Sequence, residues 1–278
     1  MGDLGKSHEL ELGRWRVKAR RAGAFGLVLD GLVDQGPDED WLHAILQEPS
    51  DREAMFSLVD REGLIVCKDV RSTHPSYRDV RGRSSRGRLS QGEYYHHDGC
   101  SSEAPPRIVE IRYPHQQTPR HTRTAIAPFP ATVIAMLEVL PTRLAAHPDA
   151  ARARARIAEG SLAQGDWDLA QGVLTRLVRR ELDSSDARVY FDVVDGSVGA
   201  YREPWTPGES RLIANANPVR TMQHRRAYLQ APDGRANGHL VKRWPAEELD
   251  APEASYPRGP AGQACTESGA FQELDGLG

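Results

Sequence analysis

Lysine is almost missing from this chain, with 4 residues against 32 arginines in 278. Cysteine is scarce too. Cys67, Cys100 and Cys265 are odd in number and far apart, which excludes both a disulfide framework and a CxxC metal knuckle. Trp, Tyr and Phe together make up only 6%, and mean hydropathy is −0.57. No long apolar run exists. The most apolar stretch, Thr124 to Leu140, is interrupted by Pro128, Pro130 and Glu138, so no membrane span is expected. The first residues, MGDLGKSHELELGRWRVKARR, carry no compact hydrophobic segment with a small-residue cleavage site, and a cytoplasmic location is the expectation. A formal charge of −3 argues against nucleic acid as the main partner. GxSxG and GxGxxG are absent, and Gly5-Lys6-Ser7 has no room for the strand and glycine that precede them in a phosphate-binding loop.

What is present reads as one soluble core with polar excursions. In PDEDWLHAILQE, Pro37 and acidic residues 38 to 40 suit a first helical turn, and Trp41, Leu42, Ile45 and Leu46 follow at helical spacing. A second helix is expected over Asp51 to Arg61, ended by Gly63, with Leu64-Ile65-Val66-Cys67 as a short buried strand. Residues 71 to 90 hold six arginines and no apolar period, and read as a loop. Glu93 to Asp98 and Arg107 to Tyr113 read as strands, and Ala131 to Ala146 as an amphipathic helix with helical character continuing to about Leu182. Beyond that the pattern turns to β at Val189 to Val193, Ser197 to Tyr201, Arg211 to Ala214 and His239 to Trp244. The basic run Arg14 to Arg21 reads as charged surface, and Pro245 onward as a Pro/Gly-rich tail or lid. Strands flanking a helical insertion predict an α+β, mainly β chain on an antiparallel double-layer core. The domain expected is residues 1–244, with a helical insertion at about 131–182 and a tail at 245–278.

Tyr94-Tyr95-His96-His97-Asp98-Gly99 is the most informative stretch. In a strand, His96 and Asp98 project to the same face and can give one divalent metal two ligands. The natural third ligand is His224, in Arg220-Thr-Met-Gln-His-Arg-Arg. Two imidazoles and one carboxylate on one face of an octahedral ion is the arrangement of non-haem Fe(II) oxygenases. The competing reading of an isolated His-x-Asp, in a chain with ten histidines, is a solvated turn or a satisfied core histidine. His97 is expected on the opposite strand face, in packing or a hydrogen bond.

The surroundings of the triplet form a longer pattern. Pro105-Pro106 precedes the strand Arg107 to Tyr113, then come Arg123-Thr124-Ala-Ile-Ala and a helix. Farther on stand Trp205-Thr-Pro-Gly208-Glu209, Asn215 and Asn217, then His224-Arg225-Arg226-Ala227-Tyr228. Upstream is Glu62-Gly63-Leu-Ile-Val-Cys-Lys. In patches from roughly residue 55 to 244, this resembles the TauD / clavaminate synthase-like branch of Fe(II)/2-oxoglutarate-dependent dioxygenases. The resemblance implies a double-stranded β-helix (jelly-roll, cupin-like) core with flanking helices. It implies Fe(II) held by His96, Asp98 and His224, with 2-oxoglutarate as cosubstrate and O2 as oxidant. It also implies that Thr124 contacts 2-oxoglutarate, and that an arginine beyond His224 pairs with the far carboxylate through a planar guanidinium. Counting from His224 gives Arg235 for that role; aligning on the terminal strand leaves Arg243 or Arg226 as substitutes. Because Asp98 fills the carboxylate position, hydroxylation, cyclisation or desaturation is expected rather than halogenation.

The expected substrate is a small polar metabolite, anionic or amino-acid-like. The Arg-, Ala- and Gly-rich composition suggests a GC-rich bacterium and a tailoring step in natural-product (antibiotic) biosynthesis. Two alternatives stand beside this reading: an iron enzyme of the same fold that does not use 2-oxoglutarate, and a non-catalytic ligand-binding jelly roll. The arginines of residues 71 to 88 are either a lid for an anionic substrate or a solvated face, and solvation is favoured because no aromatic platform accompanies them.

Overall fold

A computed structural model of the chain describes residues 6–33, 40–70, 78–80, 93–98, 106–112, 122–158, 164–216, 221–228 and 239–244. The N-terminal meander is β1 (His8–Leu12), β2 (Trp15–Arg21) and β3 (Leu27–Leu32). In β2, Val17 and Ala19 are buried while Arg16 and Lys18 are exposed, so the basic run is a half-buried strand rather than plain surface. Gly13 (φ 59°) turns β1 into β2; a Cβ there would meet the Asp51 carboxylate at 2.3 Å. That carboxylate accepts from the Trp15 indole at 2.7 Å.

The helices α1 (Trp41–Gln47) and α2 (Pro49–Glu62) follow the expected pattern. Asp40 caps α1 by accepting from the His43 N–H, and Gly63 (φ 83°) ends α2 with its N–H on the Val59 carbonyl at 2.7 Å. The chain then enters β4 (Leu64–Cys67), parallel to β3 and buried on both faces. With β5 (Arg78–Val80), β6 (Ile108–Arg112), β8 (Ser210–Ala214) and β10 (His239–Trp244), these strands form an eight-stranded sheet in the order β1-β2-β3-β4-β8-β6-β10-β5. α2 covers one face of it, where Phe56 meets Trp244 edge-on at 5.4 Å.

A small second sheet joins β7 (Thr122–Pro128) to β9 (Met222–Tyr228), with Ile126 opposite His224. Single bridges widen it on both sides, His96 to His224 and Ile126 to Tyr201. Between β7 and Tyr201 lie α3 (Phe129–Glu138), α4 (Thr142–Ala145), α5 (Pro148–Ala158), α6 (Gln164–Glu181) and α7 (Ser184–Ser197). Alternation along β7 separates two cores. Ile126 joins the aliphatic layer shared with the large sheet, whereas Ala125 and Ala127 face the helices with Phe129, Leu174 and Phe191. Each large side chain so buried contributes roughly 1.5–3 kcal/mol.

Several expectations need correction. Among the described residues, the seven helices hold more residues than the ten strands, which makes this part of the chain mixed α and β rather than mainly β. Val189 to Val193 is not a strand but the middle of α7. Ala187, Tyr190, Phe191 and Val194 are buried at helical spacing, while Val189 and Val193 are exposed. Asp183 caps this helix by accepting from the Ser185 and Asp186 N–H groups, and that cap overrides the β preference of its valines and aromatics. Among the described residues the run of helices between β7 and Tyr201 therefore extends from Phe129 to Ser197. Of residues 71 to 90 only β5 is described, and the tail 245–278 lies outside the described residues. Among the described residues no helix is long and apolar enough to cross a membrane.

Candidate metal centre

His96 and Asp98 come from residues 93–98, which pair with β9 only at His96 and turn at Asp98, and His224 comes from the middle of β9. The backbones of His96 and His224 exchange two hydrogen bonds, N to O at 3.1 and 3.0 Å. That bridge sets the two imidazoles side by side, ring centroids 4.4 Å apart. Alternation turns Asp98 to the same side. Nε2 of His96 lies 3.9 Å, and Nε2 of His224 4.0 Å, from Oδ1 of Asp98. One ligand atom from each of the three residues lies within 4.8 Å of the others. Ligand atoms about 2.1 Å from one ion on one octahedral face lie about 3 Å apart, so each His–Asp separation has to shorten by about 1 Å to share an ion.

The donor set also fits a metal in its protonation. Nδ1 of His96 stands 2.8 Å from the Tyr94 carbonyl, which can only accept. Nδ1 therefore carries the proton and Nε2 keeps a bare lone pair toward Asp98 and His224. Asn215, fully buried just past β8, fixes the third ligand from behind. Its Oδ1 accepts from the Asp98 N–H at 2.8 Å, and its Nδ2 donates to the Asp98 carbonyl at 2.8 Å and the Pro106 carbonyl at 2.9 Å. Asp98 and His224 are buried and His96 is half-buried, so the centre is most open on the His96 side.

Thr124 lies on β7 two residues from Ile126, the partner of His224, which is about 7 Å along a strand. Its hydroxyl accepts from the Trp205 indole at 3.0 Å. Its carbonyl accepts from Arg211 at 3.3 Å. Arg211, fully buried on β8, stacks over Trp205 at 3.8 Å and Tyr201 at 4.9 Å. Its remaining donors reach Glu209 at 2.6 Å and the Glu203 carbonyl at 2.8 Å. Burial would raise the Glu209 carboxyl, but Arg211 and Lys68 beside it hold it below the usual carboxylate range. Sequence reasoning missed Arg211; its signal was a single arginine directly before the apolar run Leu212-Ile213-Ala214 and two residues after Glu209.

The opposite faces of the ligand strands look into the helices. His97 points away from the triad, as its position requires, and lies 3.3 Å from Asp168 of α6 and edge-on to Phe129. Burial pushes its imidazole down to about 4. Tyr95 donates to Asp195 of α7 at 2.6 Å, and Arg225 holds the same carboxylate with two bonds of 2.7 and 2.9 Å. Tyr94 and Tyr95 are packed on Phe191 and belong to the helical core rather than lining the centre.

Of the predicted residues, His96, Asp98 and His224 converge and Thr124 sits on the same small sheet. Arg235 lies outside the described residues. Arg226 is the register partner of Thr124, and Arg243 that of Val109.

No family model matches the sequence, and no curated protein does. Among solved structures, the chain is similar to AAD-2 in complex with Mn(II) and N-oxalylglycine, with TM-score 0.44 and 12% identity over 84% of this chain and 99% of that one. It is similar to a taurine dioxygenase from Burkholderia xenovorans, with TM-score 0.44 and 12% identity over 82% of this chain and 90% of that one. Likenesses this distant carry no weight for the chemistry, which rests on the side chains just described.

Proposed function

We propose that this protein is a non-haem Fe(II)/2-oxoglutarate-dependent oxygenase. The observation that carries the reading is the convergence of His96, Asp98 and His224, with the His96 tautomer that leaves Nε2 free to bind a metal. A donor set of two imidazoles and one carboxylate suits Fe(II) with sites left over for other ligands.

The order of strands supports a double-stranded β-helix. Successive segments fall on the large sheet (β5), the small (93–98), the large (β6), the small (β7 and Tyr201), the large (β8), the small (β9) and the large (β10). The large-sheet order β8-β6-β10-β5 and the small-sheet order Tyr201-β7-β9-(93–98) support a reading as two antiparallel faces wound as one jelly roll. Residues 1–244 form its domain, with 245–278 as a tail.

Bound Fe(II) would supply activation of O2 coupled to decarboxylation of 2-oxoglutarate, so that substrate, 2-oxoglutarate and O2 give oxidised substrate, succinate and CO2. The chain's own residues do the rest. His96, Asp98 and His224 hold the ion, and Asn215 holds Asp98. Because the Trp205 indole can only donate, Thr124 must accept from it and keeps its own hydroxyl proton for an incoming carboxylate. An arginine completes that carboxylate's pairing, and Arg235 is the one assigned, with Arg243 and Arg226 as the alternatives. The substrate is a small polar, anionic or amino-acid-like metabolite. It reaches the centre past His96, in a cytoplasmic bacterial enzyme of natural-product tailoring.

The test is an anaerobic titration with Fe(II) and then 2-oxoglutarate, followed by visible absorption. A weak charge-transfer band that needs both, and is lost in Asp98→Ala and His224→Ala, is the expected result. Iron binding without the band would mean an iron enzyme with another cosubstrate. Absence of metal binding would make the chain a ligand-binding module.

A further inference from the structure

The ladder that joins the two ligand-bearing strands is short. Residues 93–98 and β9 share the single bridge His96 to His224, so backbone pairing alone fixes their register at one point. Behind that bridge, one side chain of α6 reaches both strands. Gln171 is buried, and its Nε2 donates to the Tyr95 carbonyl at 2.8 Å and to Oε1 of Gln223 at 2.9 Å. Its Oε1 accepts from Nε2 of Gln223 at 2.6 Å. Tyr95 precedes His96 and Gln223 precedes His224, so this amide cross-link stands one residue from the bridge on each strand.

The orientation of every member follows from one end. The Tyr95 carbonyl only accepts, so the Gln171 NH2 must face it, and Oε1 of Gln171 must face the Gln223 NH2. The second proton of that NH2 points at Nδ1 of His97, 3.2 Å away. Nδ1 therefore accepts, the His97 proton sits on Nε2, and it faces Oδ1 of Asp168, one turn before Gln171 on the same helix, at 3.3 Å. Both amides use all their donors. Ala170, Leu174, Leu177 and Val178 already give α6 an apolar face for the small sheet, so burial alone did not require a glutamine there. Fully satisfied buried polar contacts of this kind fix geometry more than they add stability.

We propose that Gln171 is a positioning residue for the triad: it replaces the missing ladder between the ligand strands and thereby couples the docking of α6 to metal affinity. This rests on the triad being a metal centre. The coupling is reciprocal, so metal binding also tightens α6 against the strands.

The experiment is a titration of the full-length protein with Co(II), read by its visible d–d spectrum and by calorimetry, in wild type, Gln171→Leu, Gln171→Glu and Tyr190→Phe. Gln171→Glu keeps the shape and removes both donors, so it serves if the leucine variant does not fold. Tyr190→Phe removes a bond to the Met136 carbonyl within the helical layer and touches neither ligand strand with a polar group. Affinity is expected to fall roughly tenfold or more in the Gln171 variants, with a changed spectrum, and to stay within about twofold of wild type in Tyr190→Phe. Amide exchange in residues 164–181 is expected to slow on Co(II) binding in wild type and not in the Gln171 variants. Wild-type affinity and spectrum in a folded Gln171 variant would overturn the proposal while leaving the metal centre standing. An equal loss in Tyr190→Phe would also overturn it, by reducing the effect to general destabilisation. Failure of wild type to bind Co(II) would instead remove the metal centre itself, and the proposal with it.

Discussion

Nδ1 of His96 and the carbonyl oxygen of Tyr94 are 2.8 Å apart, which makes the residue next in chain, His97, its mirror image in protonation. His96 carries its proton on Nδ1 and offers Nε2, whereas His97 accepts at Nδ1 from Gln223 and carries its proton on Nε2. Two adjacent histidines with opposite tautomers are expected in long-range 15N–1H spectra of the apoprotein near pH 7. On addition of Zn(II), the Nε2 signal of His96 should move and that of His97 should stay. A shift at His97 with none at His96 would place the register of this segment one residue off.

Asn215 makes a second prediction. It is fully buried and satisfies the Asp98 N–H and two carbonyls. Asn215→Ala leaves those groups buried without partners, at about 1–3 kcal/mol each, and lets Asp98 turn. Metal affinity is expected to drop about 10- to 100-fold by calorimetry, together with a lower denaturation midpoint. Asn215→Asp should do no better, because it keeps the acceptor for the Asp98 N–H but cannot donate to either carbonyl.

Much of the centre was legible because its signal is local. His96 and Asp98 are two residues apart, and a strand puts such residues on one face whatever the rest of the chain does. α1, β4, β8 and β10 were legible for the same reason, each having its apolar pattern and its boundary residues within one short window. What escaped depends on distant partners. Val189 and Val193 gave α7 the look of a strand, and only the packing of Tyr190 and Phe191 on the small sheet shows that the valines are its exposed side. Gln171 and Gln223 are 52 residues apart, and a glutamine carries no mark of what it will bind. Arg211 is found only when β8 is known to be buried on both faces.

Arg211 gives the third prediction. It and Glu209 are both fully buried, and Glu209 also accepts from Lys68 and from Thr206 at 2.8 Å. Arg211→Met removes the guanidinium stacked on Trp205 and leaves a buried carboxylate with a half-exposed partner. A cost of about 3–5 kcal/mol in chemical denaturation is expected. The double variant Arg211→Met/Glu209→Gln should recover a large part of that, since no fully buried charge is then left unpaired and the half-buried Lys68 can turn to water. Equal losses in the single and double variants would mean that stacking, not the charge pair, holds this wall.

Asp168 sets the pH dependence. Burial pushes its carboxyl from 3.8 up to about 7, and the neutral imidazole of His97, 3.3 Å away, gives it no counter-charge. A carboxyl whose folded pKa is raised keeps its proton in the native state while the unfolded chain releases it. Stability therefore falls as pH rises from about 4 to about 7, and the penalty is complete above that. Asp168→Asn keeps the shape of the side chain and has no charge to bury. It should match wild type near pH 4 and exceed it at pH 8 by on the order of 2–4 kcal/mol, with the difference growing between those limits. The check is a urea denaturation series across that range on both proteins without metal. A variant less stable than wild type at pH 8 would mean that the two side chains form an ion pair there, His97 charged against Asp168, and that charge holds the helix to the ligand strand.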